Sequence, residues 1–414
     1  MGDTLFGKKI ILQPSSEIKS GYGLQTDGSN LYFNNVSVSL TNFTPNLQEV
    51  TDAGLTTDRT VFFSNSETSI VCQGLISCES DIRILTNDNN DSFKIAIGSS
   101  NVGLQNQGVH SIAIGSDSGK ASQGRYAVAI GHFAGNNNQA ERSVAIGNNA
   151  GSSDQQLRSI AIGDNAGYSN QHAYSVAIGY QAGNNKQAER SVAIGHFAGY
   201  DDQQLRSIAI GDYAGYSLQN TYSVAIGDNA GASNQNAYSV AIGVEAGAKT
   251  QGARSIAIGN QAGKTNQRYN SVAIGQGAGF DDQHQECVAI GVGAGAETQG
   301  ARSIAIGSGA GASNLNTNSI AIGFASGDTN TGENSISIGA GSEATNNNSI
   351  VLNASGGPFS SSADSGFFVK PVRKSTETIT ELLAYNYGRK EIIRTDIVPN
   401  ATNATNATNA TKLY

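Results

Sequence analysis

Residues 143–158 read SVAIGNNAGSSDQQLR, residues 159–174 read SIAIGDNAGYSNQHAY and residues 175–190 read SVAIGYQAGNNKQAER. With the Gly that closes each (V/I)-A-I-G as reference, the motif stands at 98, 115 and 131 and then every 16 residues to the Ile336-Ser337-Ile338-Gly339 version. Only the first interval, 17, differs. A period kept without insertions means one structural unit laid on the next, because any loop insertion would break the count. After Gly339 the interval shortens to 14, with Ile350-Val351-Leu352 following Ile336-Ser337-Ile338, which reads as a terminal cap.

Within one unit, branched apolar residues alternate with small ones, the period-2 pattern of a strand. Two glycines per unit, such as Gly211 and Gly215, mark places where the backbone turns with positive φ or approaches a neighbour closely. Helical repeats are longer and tolerate Gly poorly, so the unit predicts one coil of a parallel β-solenoid. About sixteen coils at ~4.8 Å each make a rod of roughly 75 Å. Val and Ile are expected to point into the coil, which places the alanines between them outside. That column comprises Ala129, Ala145, Ala161, Ala177, Ala193, Ala209, Ala225, Ala241, Ala257 and Ala273, and continues to Ala321. A flat Ala and Ser stripe predicts side-by-side packing of three chains. The other reading is that the stripe packs beneath the chain's own turns.

Eight residues past the reference Gly stands glutamine, from Gln123 through Gln139, Gln155, Gln171, Gln187, Gln203, Gln219, Gln235, Gln251 and Gln267 to Gln299. Amides stacked at strand spacing predict a hydrogen-bonded ladder, a structural device and not a ligand site. A longer period overlies the first: NNNQAERSVAIG at 136 returns as NNKQAERSVAIG at 184, 48 residues or three coils later. Duplication of a three-coil segment produces this, and so does lateral contact at every third coil.

The composition argues against an ordinary enzyme. The 414 residues include 51 Gly, 5 Pro and no Trp, with 14% charged residues and a net charge of −8. No Lys/Arg block supports nucleic-acid binding, and no apolar run approaches the roughly 20 residues of a membrane span. The N-terminal stretch has no long apolar core of a secretory leader. Cys72, Cys78 and Cys287 make no disulfide framework, and whether Cys72 pairs with Cys78 stays open. His132 and His196 share a register position but lie four coils apart, roughly 19 Å, too far to share a metal. Asp201-Asp202 and Asp281-Asp282 read as solvated turn carboxylates. No catalytic, cofactor or metal constellation is expected, although a solenoid enzyme acting on polysaccharide remains a third reading.

The SVAIGxxAG pattern resembles the head repeat of trimeric autotransporter adhesins, which are left-handed parallel β-rolls that associate in threes. The usual period there is fourteen. The sixteen here is similar to the (S/A)IAIGxxAGxxxQ repeats of fibre-like structural proteins of bacteriophages and giant DNA viruses. The flanks Leu47-Gln48-Glu49-Val50-Thr51-Asp52 and Phe367-Phe368-Val369-Lys370-Pro371 resemble segments of such viral fibres. The bacterial membrane-anchor barrel and the phage self-cleaving chaperone have no counterpart in the sequence.

The expectation is thus an all-β protein, a parallel β-solenoid of left-handed β-roll type. Three regions follow: residues 1–93 as a β-rich attachment region, 94–353 as the solenoid, and 354–414 as a hairpin about Asn386-Tyr387-Gly388 with an (NAT)4 tail. Its function is expected to be that of a non-enzymatic homotrimeric rod on a virion surface or an extracellular appendage. The alternative is an adhesin that binds a host receptor or glycan, supported by Phe133, Tyr180, Phe197 and Tyr213 in the turns. Partners are then the chain itself, in a trimer or higher-order fibre or lattice, and a host receptor or glycan. No nucleic acid, membrane insertion or cofactor is expected. Asn400, Asn403, Asn406 and Asn409 begin tandem N-x-T sequons and are candidate glycosylation sites; Asn35, Asn42, Asn90, Asn347 and Asn353 also fit N-x-[ST].

Overall fold

Every (V/I)-A-I segment becomes a three- or four-residue strand that pairs in parallel with the strand of the next coil. Val192, Ala193 and Ile194 stand opposite Ile208, Ala209 and Ile210, with like residue on like throughout. The computed structural model describes residues 25–26, 30–33, 36–39, 94–98, 101–103, 106–373 and 382–395. The chain divides into two units, Met1–Ile84 and Leu85–Tyr414. In the first, Gln25–Thr26, Asn30–Phe33 and Val36–Ser39 form an antiparallel three-stranded sheet. In the second, the parallel ladder runs coil by coil from Lys94–Ile97 to Ile350–Asn353, and one strand further to Phe367–Lys370. The stack thus passes the boundary at 353 that the repeat suggests. Leu382–Asn386 and Glu391–Thr395 make an antiparallel hairpin around the expected turn. Among the described residues there is no helix, and the fold is an all-β parallel solenoid.

A second, weaker sheet lines the other side of each coil. It comprises short strands such as Asn185–Gln187 and Asp201–Gln203, thinning to isolated bridges between Gln235, Gln251 and Gln267. Its middle residue has positive φ in coil after coil, as at Asn138, Asp154, Asn170, Asp202 and Asn234. Asn and Asp tolerate this left-handed region best, which accounts for much of the chain's Asn content. The two glycines do what the motif predicts. Gly211 has φ +132, and a Cβ there would lie 2.5 Å from the carbonyl oxygen of Gly227 in the next coil. Gly215 has φ +53, and its Cβ would lie 2.7 Å from the Gln219 side chain.

The core reverses one expectation. Ala129, Ala145, Ala161, Ala177, Ala193, Ala209, Ala225, Ala241, Ala257 and Ala273 point inward and are 0% exposed within a single chain. Val and Ile point outward, and Ile242, Ile258, Ile290 and Ile306 remain 36–37% exposed. The alanine column is therefore the interior of the roll and is not available as a contact between chains. The cause is the opposite sheet. Gln203 crosses the interior to donate from Nε2 to the carbonyl of Val192 at 2.8 Å. A methyl group fills what space remains across from it. The strand Ser fills the neighbouring inward position, with Ser207 Oγ donating to the carbonyl of Gln204 at 2.6 Å. The core of each coil is thus Ala, Ser and Gln, held by hydrogen bonds as much as by apolar burial.

The glutamine ladder is continuous. Nε2 of Gln139 donates to Oε1 of Gln155 at 3.2 Å, Gln187 to Gln203 at 3.1 Å and Gln267 to Gln283 at 3.0 Å, with every intermediate step present. At the head of the ladder Gln123 Oε1 is buried without a partner, since Gln107 Nε2 donates to the carbonyls of Ile95 and Ser111. At the other end Leu315 occupies the column, fully buried.

Candidate interaction surface

The outer face of each coil continues from the strand into the turns that flank it. In every repeat after the first, the residues five before, three before, one before and one after the reference Gly all lie on the exposed or half-buried outside of the coil, while those four and two before it are buried. In one coil this outward row is Arg158, Ile160, Ile162 and Asp164; three coils on it is Arg206, Ile208, Ile210 and Asp212. An apolar band of Val and Ile therefore runs the length of the roll between two polar rims.

The first rim is Tyr126, Arg142, Arg158, Tyr174, Arg190, Arg206, Tyr222, Tyr238 and Arg254, one residue per successive coil. Guanidinium groups lie over rings. Arg158 and Arg190 sandwich Tyr174 with 5.6 and 5.4 Å from Cζ to the ring centroid, and Arg206 lies 5.4 Å from Tyr222. Tyr222 and Tyr238 stack directly at 5.2 Å. Arg206 Nη1 also donates to the Tyr222 hydroxyl at 2.6 Å. Each of these residues has positive φ, for example +55 at Arg158 and +59 at Tyr222. Sequence reasoning overlooked this column; reading the 16-residue units as columns, five residues before each Gly, would have found it.

The opposite rim, one residue after the Gly, carries His132, Asn148, Asp164, Tyr180, His196, Asp212 and Asp228. His196 Nδ1 lies 2.7 Å from Asp212 Oδ1, and Asp164 Oδ1 accepts from Asn148 at 3.2 Å and Asn165 at 2.6 Å. Next to it is an aromatic cluster. Phe197 and Tyr213 stack at 5.1 Å, as do Tyr200 and Tyr216, and Tyr180 stacks on His196 at 5.4 Å. Burial among these rings pushes the Tyr216 hydroxyl above its ordinary range. Of the four turn aromatics that the sequence singles out, Tyr180, Phe197 and Tyr213 join this cluster, while Phe133 packs on His132 at 4.1 Å. The rings of Phe197 and Tyr213, and those of Tyr200 and Tyr216, cover one another's faces.

Among the described residues no group of three or more His, Cys, Asp or Glu could hold a metal ion. A depression of about 570 Å³ is an open groove beside Arg268, Tyr269 and Asp282. Asp282 is held by Arg268 and His284 at 3.5 and 3.4 Å, and Asp201 accepts from Asn185 at 2.7 Å, so the two acidic pairs are engaged in local contacts. Cys287 is buried in the position of the strand Ser, its Sγ 2.9 Å from the carbonyl of Gly300. Asn353 is buried, its Nδ2 donating to the carbonyls of Ala340 and Gly357, which removes it as a glycan acceptor. Cys72, Cys78, Asn35, Asn42, Asn90, Asn400, Asn403, Asn406 and Asn409 lie outside the described residues.

Comparison with known families agrees with this geometry. The family model described as the YadA head domain repeat (2 copies) matches residues 139–166, 219–246, 236–262, 288–310, 299–326 and 331–352. No curated protein and no solved structure matches the chain. The chain thus carries YadA-head-type repeats in its solenoid, consistent with a relation to the heads of trimeric autotransporter adhesins.

Proposed function

We propose that the protein is a non-enzymatic, surface-exposed rod in which three parallel copies pack through their Val and Ile faces. The observation that carries this reading is the apolar band itself. Branched side chains repeat in every coil on the outer face of the continuous sheet, while alanine, the residue suited to a wet surface, is spent inside. A contiguous apolar strip of this length is a contact surface, and three copies arranged about an axis cover it without open-ended growth. The matching YadA head repeats support an adhesin-like setting outside a cell or particle. A virion surface is the particular location proposed, on the resemblance of the sixteen-residue repeat and its flanks to viral fibres.

Receptor or glycan attachment through the turns is a second reading, favoured by the ring cluster around Phe197. Antibodies against the solenoid, applied to intact producing cells or particles, test the location. Labelling without permeabilisation is expected. Labelling that appears only after lysis contradicts a surface rod.

A further inference from the structure

The 48-residue period has a consequence for how chains meet, resting on the threefold reading above. We infer that the two rims of the Val and Ile face are each other's partners in a second copy of this chain. Arg158 and Arg206 of one copy pair with Asp164 and Asp212 of the next.

Arg158 and Asp164 end the same row, on either side of Ile160 and Ile162, and Arg206 and Asp212 do so three coils later. The members of each pair lie in the turns at opposite ends of a three-residue strand, Ile160–Ile162 or Ile208–Ile210, and among the described residues no ion pair joins them within the chain. When three flat faces are turned towards a common axis, each corner brings the leading rim of one face to the trailing rim of its neighbour. Rotation alone leaves equivalent residues at equal height, so each Arg meets the Asp of its own coil. Tyr222 and Asp228 complete the series one coil further, as hydroxyl donor and carboxylate.

The backbone gives a second, independent sign. The Arg and Tyr rim sits at positive φ in coil after coil, a conformation that Asn and Asp fill elsewhere in the same units. Arginine and tyrosine are poor choices there on local grounds, and a local rule broken repeatedly points to a role for the side chain. The groups are also open to a partner. Among the described residues neither Arg158 nor Arg206 has a carboxylate in ion-pair reach, unlike Arg142 with Glu141 and Arg190 with Glu189. The hydrogen bonds to Asp164 and Asp212 use Oδ1, leaving Oδ2 for another donor. Arg158 and Arg206 each give Nη1 to a tyrosine hydroxyl, and the remaining in-plane donors of the guanidinium are left for such a carboxylate.

Charge reversal in the full chain tests the pairing, with association read by light scattering over a dilution series. One variant is Arg158→Glu with Arg206→Glu, the second is Asp164→Arg with Asp212→Arg, and the third carries all four changes. Glu286 already occupies the Arg column at φ +62, and Tyr180 and Val244 occupy the Asp column, so both positions accept varied side chains. Each one-sided variant should raise the concentration at half-dissociation by ~10-fold or more, and the four-fold variant should return to within ~3-fold of the wild type. Restoration reports a contact between chains, since the rims lie at opposite ends of each strand. If the wild type is trimeric and one-sided variants associate equally well, or the four-fold variant stays weak, the corner pairing is wrong while the trimer stands. A wild type that stays single at all concentrations overturns both. An anionic ligand as occupant of the Arg rim would leave all the association midpoints alike, and that result also overturns the pairing.

Discussion

Gln203 donates from Nε2 to Oε1 of Gln219, one coil further along, at 3.0 Å, inside a roll whose apolar filling is almost entirely alanine. The ladder therefore carries cohesion that a thicker solenoid would take from Leu and Ile. Leu315 shows that a leucine fits the column. Gln203→Leu should nevertheless cost ~1–3 kcal/mol per chain in chemical denaturation, because it leaves Gln219 Oε1 without its donor and Gln187 Nε2 without its side-chain acceptor. Gln123→Leu should cost less, since Gln123 Oε1 is already unpartnered and its loss offsets the acceptor freed on Gln139.

Neighbouring residues of one strand should respond oppositely to substitution. Ala209 is sealed between the sheets, so Ala209→Leu should destabilise the roll by ~1–3 kcal/mol or more through overpacking. Ile210 faces outward, so in dissociated chains Ile210→Ala should cost no more than ~1 kcal/mol. Thermal melts of the two variants at high dilution check the contrast. A large loss from Ile210→Ala in single chains would place that side chain inside.

Cys287 supplies a pH signature. Burial, the dominant influence, pushes its thiol above the ordinary range. A group whose folded pKa is raised contributes stability that is complete below its unfolded pKa and is lost as pH rises through the folded value. Stability should therefore fall on the alkaline side, and Cys287→Ser should flatten that limb, since Ser271 and Ser303 fill the same position in adjacent coils. Alkylation followed by peptide mapping should leave Cys287 unmodified in native protein at neutral pH and modify it once denatured. Ready modification of native Cys287 would contradict its burial.

The repeat made the fold legible because each local signal agreed with the next: a fixed period, alternating strand residues and paired glycines at the turns. Orientation was less accessible. Alternation says that Val192 and Ile194 share a face and that Ala193 takes the other, but not which face is inside. The usual rule, large apolar residues inward, fails here because the sixteen-residue coil is thin and Gln203 spans it. The glutamine column was readable from register alone, and its hydrogen bonds follow that register. The Arg and Tyr rim was harder to see, because its residues vary between coils and only the shared positive φ and the stacking of Arg190 on Tyr174 unite them.

In the proposed trimer the outward Val and Ile band is covered by two further copies of the chain. The decisive quantity is the mass of the purified protein in solution, measured by multi-angle light scattering across a concentration series. Three times the 42.7 kDa chain mass is expected, reduced by Ile210→Glu with Ile226→Glu, which places charge in the buried band. A wild-type mass of one chain at every concentration, or a trimer unaffected by the two glutamates, would contradict it.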